Sequence, residues 1–380
     1  MTFKGEQFRR RLFSAPILEL IRLLRDAAEV EHSLMLQYLY AAFSVKTPRY
    51  ATLAGITSHQ YGGKPLHLLG IAIEEMVHLT QVNKLLVALG ASPTLNRQQF
   101  PLEVDIYPFP LSLEPLSLKS VAKYLYVEAP AGAIDPTQAP ESEIAFLNKL
   151  YSVLGGQVLP NRVGSLYERI IGLLQEVKET VPNLTIDYDY WTLVLREIQQ
   201  EGEEEHFELF KSIFLGMHPA MQDVKDVWSL PLSHPDYPAY HLPVNPSAVI
   251  DGVDDLVSEQ VQRLGQLSNL IYWMICMCLD LSYRNHSLLF NSVRRLMSGP
   301  LRSLGQHLAQ LGHGIPFDGL AMGYSVGITE RHNHQFIKFL ADEASRLEQD
   351  TAVFLPEDYP RGLFPEFIND LESAFIMKVG

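Results

Sequence analysis

Apolar residues recur at three- and four-residue steps along most of the chain, the repeat of helices with one buried face. Residues 16–46 read as a first long helix, with Ile17, Leu20, Leu24, Ala27/Ala28, Leu34/Met35 and Tyr38 on one stripe and Glu31 in its middle. A loop punctuated by Pro48, Gly62, Gly63 and Pro65 follows. A second helix over about 66–90 aligns Ile71, Glu75, His78, Val82, Leu85/Leu86 and Leu89, and stops at Gly90 with Pro93 just beyond. Residues 91–165 lose the period. FPLEVDIYPFPLSLEPLSL is proline-rich, a short helix around 117–127 leads into Glu128-Ala-Pro130, and AGAIDPTQAPESE reads as surface loop. This region is expected to be a long crossover connection. A third helix from about 162 to 180 is read with Gly164, Ser165, Glu168, Ile171 and Gln175 on one face. A fourth, about 189–216, carries Arg196, Gln199, Glu203, His206/Phe207, Phe210 and Ile213/Phe214. Residues 218–248 read as a linker, 249–283 and 284–312 as one or two long helices, and two further helices are expected near 328–349 and 364–376. The pattern predicts an all-α protein.

Composition narrows the reading. The 380 residues are 47% hydrophobic and 19% charged, enough for one large or two modest domains. A formal net charge of −14 argues against nucleic acid or an anionic membrane as the main partner. The two cysteines, Cys276 and Cys278, point in different directions on a helix, so no disulfide framework and no cysteine zinc site is expected. The basic N-terminal stretch MTFKGEQFRRRLFSAPILEL lacks a clean apolar run and a cleavage site, and the longest apolar run, Leu270–Leu279, is short for a bilayer. These features together suggest a cytoplasmic chain with no membrane partner.

The chemistry lies on the apolar faces. A carboxylate and an imidazole on a buried stripe are costly unless something binds them. Glu31 is followed by Glu75-x-x-His78, and Glu168 by Glu203-x-x-His206, with separations of 75 − 31 = 44 and 203 − 168 = 35. Two helices joined by a short loop would bring each such set level. One Glu-x-x-His motif is commonly a solvated pair; its repetition is far more specific. Two single glutamates and two Glu-x-x-His motifs form the ligand set of ferritin-like di-iron and di-manganese carboxylate proteins. Four carboxylates offset most of the charge of two divalent cations, and the imidazoles give each ion mixed nitrogen and oxygen ligands.

Alternatives remain at several positions. Glu168 lies on a less apolar face, where a solvated glutamate is the simpler reading. Glu128 competes for its place, although Pro130 makes it a poor mid-helix ligand. Glu203 lies in an acidic run with Glu201, Glu204 and Glu205, and such runs are usually exposed. Tyr38, seven residues after Glu31, either approaches the metals or is a core tyrosine bonded to a carboxylate. Gln37, Gln81 and Gln199 read either as partners of ligands or as surface residues. His286, His307, His313, His332 and His334 lack a carboxylate at ligand spacing and read as structural or surface residues.

The stretches AAEVEHSLMLQYLYAAFS, IAIEEMVHLTQVNKLLVALGASP, VEAP and VGSLYERI resemble the iminophenyl-pyruvate dimer synthase branch of the ferritin-like superfamily, over roughly residues 15–215. The resemblance implies a four-helix bundle with a dinuclear metal site and oxidative chemistry on an amino-acid-derived imine. The expectation is then a ferritin-like four-helix bundle over residues 1–217 with a long crossover, a linker over 218–248, and additional C-terminal helices over 249–380. The expected function is a metal-dependent oxidoreductase acting with dioxygen or peroxide on a small organic substrate. Its expected cofactor is two iron ions, with manganese as the alternative. Glu31, Glu75, His78, Glu168, Glu203 and His206 are the expected ligands, with Glu75 or Glu203 bridging. Homo-oligomerisation is left open. The competing readings are a ferroxidase or storage protein without an organic substrate, and a metal-free structural bundle.

Overall fold

The computed structural model describes residues 11–55, 67–102, 107, 109–156, 162–248, 258–284, 289–319 and 330–376. His286 and residues 320–329, which include the start of the helix expected near 328–349, lie outside the described residues. So do the basic first ten residues and the end of the loop after the first helix. Among the described residues the regular structure is helical, with two isolated β-bridges, Val45 to Ala239 and Leu102 to Leu111.

The chain divides into two compact units, Met1–Ala91 with Pro101–Tyr240, and Ser92–Phe100 with His241–Gly380. The first unit is built on α1 (Pro16–Ser44). Pro16 starts it where a missing N–H costs nothing. Its second half, from Val30 onward, is buried all round, as befits the central rod of a bundle. α2 (Leu68–Ala88) packs along it. The His67 Nδ1 accepts from Gly70 N–H at the start of α2. At its end Gly90, at φ 80°, turns the chain so that Ala91 N–H bonds Leu86 C=O at 2.9 Å.

The expected crossover contains more structure than a connection. α3 (Leu118–Glu128) begins at a Ser117/Ser120 capping box and ends two residues before Pro130. It is followed by α4 (Ile144–Leu154). Then come α5 (Val163–Thr180), α6 (Tyr188–Gln200), a π turn (Glu201–His206) and α7 (Phe207–Phe214). The last three form one continuous rod. α3 packs against α7, while α5 packs against α6 and α1. Two helices thus share the place that the sequence reading gave to one. Tyr38, Tyr124 and Phe210 close this core, with ring centroids 4.8–5.2 Å apart.

Residues 218–240, read from the sequence as the first part of a linker, are held in the first unit. Lys46 N–H bonds Pro238 C=O at 2.8 Å, Tyr240 N–H bonds Ser44 C=O at 2.7 Å, and Tyr50 OH bonds Asp236 C=O at 2.6 Å.

The second unit centres on α8 (Glu259–Arg284), with α9 (Leu289–Leu296), a π turn (Met297–Leu301), α10 (Arg302–Gln310), α11 (Glu330–Asp350) and α12 (Leu363–Ile376). By length and composition the Glu259–Tyr283 part of α8 is apolar enough to cross a membrane, yet 89% of its most apolar window is buried within the protein. It is the core helix of this unit. Cys276 and Cys278 are buried in it as free thiols, and burial raises the pKa of Cys276 to about 12.

Candidate metal centre

Helical periodicity brings the buried carboxylates and imidazoles together. From α1 comes Glu31; from α2 come Glu75 and His78, one turn apart on the face that also buries Ile71, Leu79 and Val82. From the last residue of α3 comes Glu128, and from the end of the π turn comes His206. Each of these five is at most 4% exposed. Among the described residues they form two donor groups, Glu31 with Glu75 and His78, and Glu75 with Glu128 and His206. Glu75 belongs to both.

The geometry has an approximate two-fold pattern. His78 Nδ1 faces Glu31 Oε2 at 3.5 Å and Glu75 Oε2 at 3.4 Å. His206 Nδ1 faces Glu75 Oε1 at 2.9 Å and Glu128 Oε1 at 3.8 Å. The two rings stack at 5.8 Å between centroids. The outer nitrogens are held across the bundle, His78 Nε2 by Glu201 at 2.8 Å and His206 Nε2 by Glu74 at 2.9 Å. Such outer partners fix ring orientation and tautomer in metal sites. On the carboxylate side, Tyr167 OH donates to Glu31 Oε1 and Tyr38 OH to Glu128 Oε1, both at 2.5 Å.

The electrostatics show what this cluster needs. Burial and then the charge of Glu75 push Glu31 up to about 8, so it holds a proton at neutral pH. Burial alone would raise Glu75 as well, but hydrogen bonds from His206 and His78 hold it below the usual carboxylate range. Burial would lower both histidines. Their carboxylate partners outweigh it and raise both well above the ordinary imidazole value, Glu201 leading for His78 and Glu128 for His206. The protein alone therefore fills the cluster with protons.

The residues fit a metal ion. His206 Nδ1 is fully buried, and its 2.9 Å contact with a Glu75 oxygen is poorly aligned for a hydrogen bond. Without metal a proton fills this gap, in keeping with the raised value of His206; once that proton leaves, a bare imidazole nitrogen beside a carboxylate is a seat for a cation. Three carboxylates and two imidazoles are a donor set for iron or manganese.

The structure distributes the sequence-read positions unevenly. Glu31, Glu75, His78 and His206 converge. Glu168 does not: it is exposed on α5. The buried face of α5 is Val163, Gly164, Leu166, Tyr167, Ile170, Leu173, Leu174 and Val177. The face read from the sequence was displaced by one residue, about 100° of rotation. Tyr167 occupies the inward position instead, and the competing candidate Glu128 supplies the carboxylate. Its place at a helix end is no obstacle, because Val121, Leu125 and Glu128 follow the helical step into the core. Replacing Glu128 by alanine is expected to lower metal content, whereas Glu168→Ala leaves it unchanged; elemental analysis of the two variants checks this.

Glu203 stands at the edge. The π turn adds a residue to the helical step, so Glu201 meets His78 and Glu203 turns to Arg162 Nη1 at 3.1 Å. It still lines a narrow cleft, partly open to solvent and with a volume of about 10 Å³, together with Glu31, Glu75, His78, Glu128 and Gln199. Tyr38 is the core tyrosine bonded to a carboxylate. Gln37 is buried and braces the backbone, bonding Ser33 C=O and Ser112 N–H.

A bundle whose buried carboxylates and imidazoles meet at one level is the architecture of the ferritin-like carboxylate proteins. Residues 24–229 match the Ferritin-like family, and the chain belongs to it. It is similar to dichlorochromopyrrolate synthase of Lentzea aerocolonigenes, at 28% identity covering 78% of this chain and 35% of that protein. It is also similar to 2-imino-3-(indol-3-yl)propanoate dimerase of Chromobacterium violaceum, at 36% identity covering 28% of this chain and 13% of that protein. The chain spans about a third of the length of the first relative, and the match to the second is shorter still. A crystal structure of a ferritin-like protein from Caulobacter vibrioides aligns over 80% of this chain and 98% of its own, with a TM-score of 0.48 and 15% identity.

Proposed function

We propose that this chain is a di-iron oxidoreductase that uses dioxygen or peroxide to couple small aryl imino acids derived from amino acids. The observation that carries the reading is the pair of buried donor groups sharing Glu75. The names of the two curated relatives support the substrate class, since one is a dimerase of an indolyl imino acid.

Glu31, Glu75 and His78 would hold one ion, and Glu75, Glu128 and His206 the other, with Glu75 common to both. When bound, the ions supply the redox chemistry with oxygen or peroxide; joining two imino acids by a carbon–carbon bond removes two electrons and two protons, which the oxidant accepts. The chain's own groups set the stage. Glu201 and Glu74 hold the outer imidazole nitrogens so that both Nδ1 atoms face inward. Tyr167 and Tyr38 each occupy one oxygen of Glu31 and Glu128, which limits how those carboxylates turn. Val163 and Ile198 give the cleft an apolar wall.

The test loads the full chain with iron(II) without oxygen, adds an aryl 2-oxo acid with ammonia to form the imine, and then admits oxygen. The expected result is a coupled dimer formed in proportion to the oxygen consumed. Iron oxidised and accumulated well beyond two ions per chain, with the imine untouched, would favour iron handling and contradict the proposal.

A further inference from the structure

We propose that Arg162 is a carboxylate receptor at the mouth of the metal cleft, which exchanges Glu203 for the carboxylate of an incoming aryl 2-oxo or 2-imino acid. The proposal rests on the substrate class given under the proposed function. It assigns a specificity residue that neither the donor set nor the relatives' names identify.

Three observations carry it. First, Glu203 has a place prepared for a carboxylate. Its Oε1 lies 3.1 Å from Arg162 Nη1, and Gln199 hydrogen-bonds the same group. A Cβ built on Gly164 would fall 1.9 Å from that oxygen, so the carboxylate fills the hollow a glycine leaves. Guanidinium, amide and glycine thus shape a seat that another carboxylate can take. Second, the seat is reachable, since the Arg162 and Glu203 side chains are 13% and 20% exposed, unlike the fully buried donors behind them. Third, the charges demand such a group. Glu75, Glu128 and Glu203 line the cleft beside His78 and a protonated Glu31, and Glu203 stands at its mouth, so an incoming carboxylate is received only if a cation there offsets that charge. Exchange keeps one carboxylate on the guanidinium throughout, so Arg162 never loses its partner. Glu203, once released, is free to turn toward the donors it already adjoins. Val163 and Ile198 line the same narrow cleft, so an aryl group finds apolar neighbours there only as Glu203 moves out.

The π turn explains why this arrangement exists. An uninterrupted helix would place a Glu three residues before His206 on the imidazole's own face. The extra residue in Glu201–His206 moves Glu203 aside and onto Arg162, giving it a station outside the cluster.

The test titrates the metal-free 380-residue chain with phenylpyruvate and with its neutral methyl ester, by calorimetry. Loss of the charge-assisted contact in Arg162→Gln is expected to weaken phenylpyruvate about tenfold or more. Arg162→Lys should recover part of that loss, and Glu203→Gln, which removes the competing carboxylate, should bind more tightly than the parent. The ester should bind all variants alike, a pattern that a merely structural role for Arg162 would not produce. On the iron-loaded chain, Arg162→Gln is expected to raise KM with kcat changed less than about twofold. Equal phenylpyruvate affinity in the parent and Arg162→Gln, or no binding to the parent, overturns the proposal. Arg162-dependent binding without oxidative coupling would uphold the receptor and remove the proposed activity. Coupling with affinity indifferent to Arg162 would do the reverse.

Discussion

Glu75→Ala is expected to lose both metal ions at once, with affinity falling by about two orders of magnitude or more at each position. Glu75 is the one residue common to both donor groups, with Oε2 near His78 and Oε1 near His206. His78→Ala removes a donor from one group alone, so it should lower the stoichiometry from two toward one. Both variants should fold. α2 retains Ile71, Leu79, Val82, Leu85 and Leu86 in the core, and removing Glu75 relieves repulsion on Glu31 and Glu128. Circular dichroism and elemental analysis on the same samples read both quantities. Metal content equal to the parent in Glu75→Ala would refute the shared-ligand arrangement.

The second large effect is a pH dependence that metal abolishes. In the metal-free fold Glu31 is raised from 4.5 to about 8. Between those values the folded chain holds a proton that the unfolded chain has lost, so stability falls as pH rises. His78 and His206 are raised above 6.5 and act in the same direction. Their contribution is complete below 6.5 and is lost as pH climbs through their folded values. Glu75 is lowered from 4.5 and has the opposite sign, its contribution vanishing as pH falls below that value. The metal-free chain should therefore be most stable near pH 5 and lose roughly 5–10 °C in Tm by pH 8.5. The metal-loaded chain should not show this fall, because cations replace the protons and their uptake releases them. Thermal melts across pH, with and without metal, check the sign. A metal-free chain that gains stability between pH 5 and 8 would show that the cluster is not proton-filled.

Much of this site was legible in the sequence because helices impose a fixed angular step. Glu31, Glu75 and His78 sit on strongly apolar stripes, and for such stripes the 3.6-residue period leaves little freedom. His206 was found from the same spacing. The two positions that moved show where periodicity gives out. On α5 the apolar residues span a wide arc, and a face centred one residue away puts Glu168 inward and Tyr167 outward, the reverse of the structure. Beyond Gln200 the π turn breaks the period itself, so a Glu-x-x-His motif read as one face became Glu201 on His78 and Glu203 on Arg162. Nothing local in EGEEEH announces that turn, although Gly202, buried where a Cβ would meet Glu128 Oε2 at 3.0 Å, is consistent with close helix approach there. In the sequence Glu128 competes with Glu168 and Pro130 weighs against it, yet a ligand needs direction rather than a mid-helix position. The helices of the second unit were legible as helices, but their sequence carries no donor spacing from which a role could be read.

An anaerobic iron(II) titration of the 380-residue chain, followed by elemental analysis of the washed protein, tests the dinuclear site most directly. Two paired donor groups sharing Glu75 predict saturation at two ions per chain. A chain that retains no metal, or one that takes up iron without saturating, would rule out a dinuclear site.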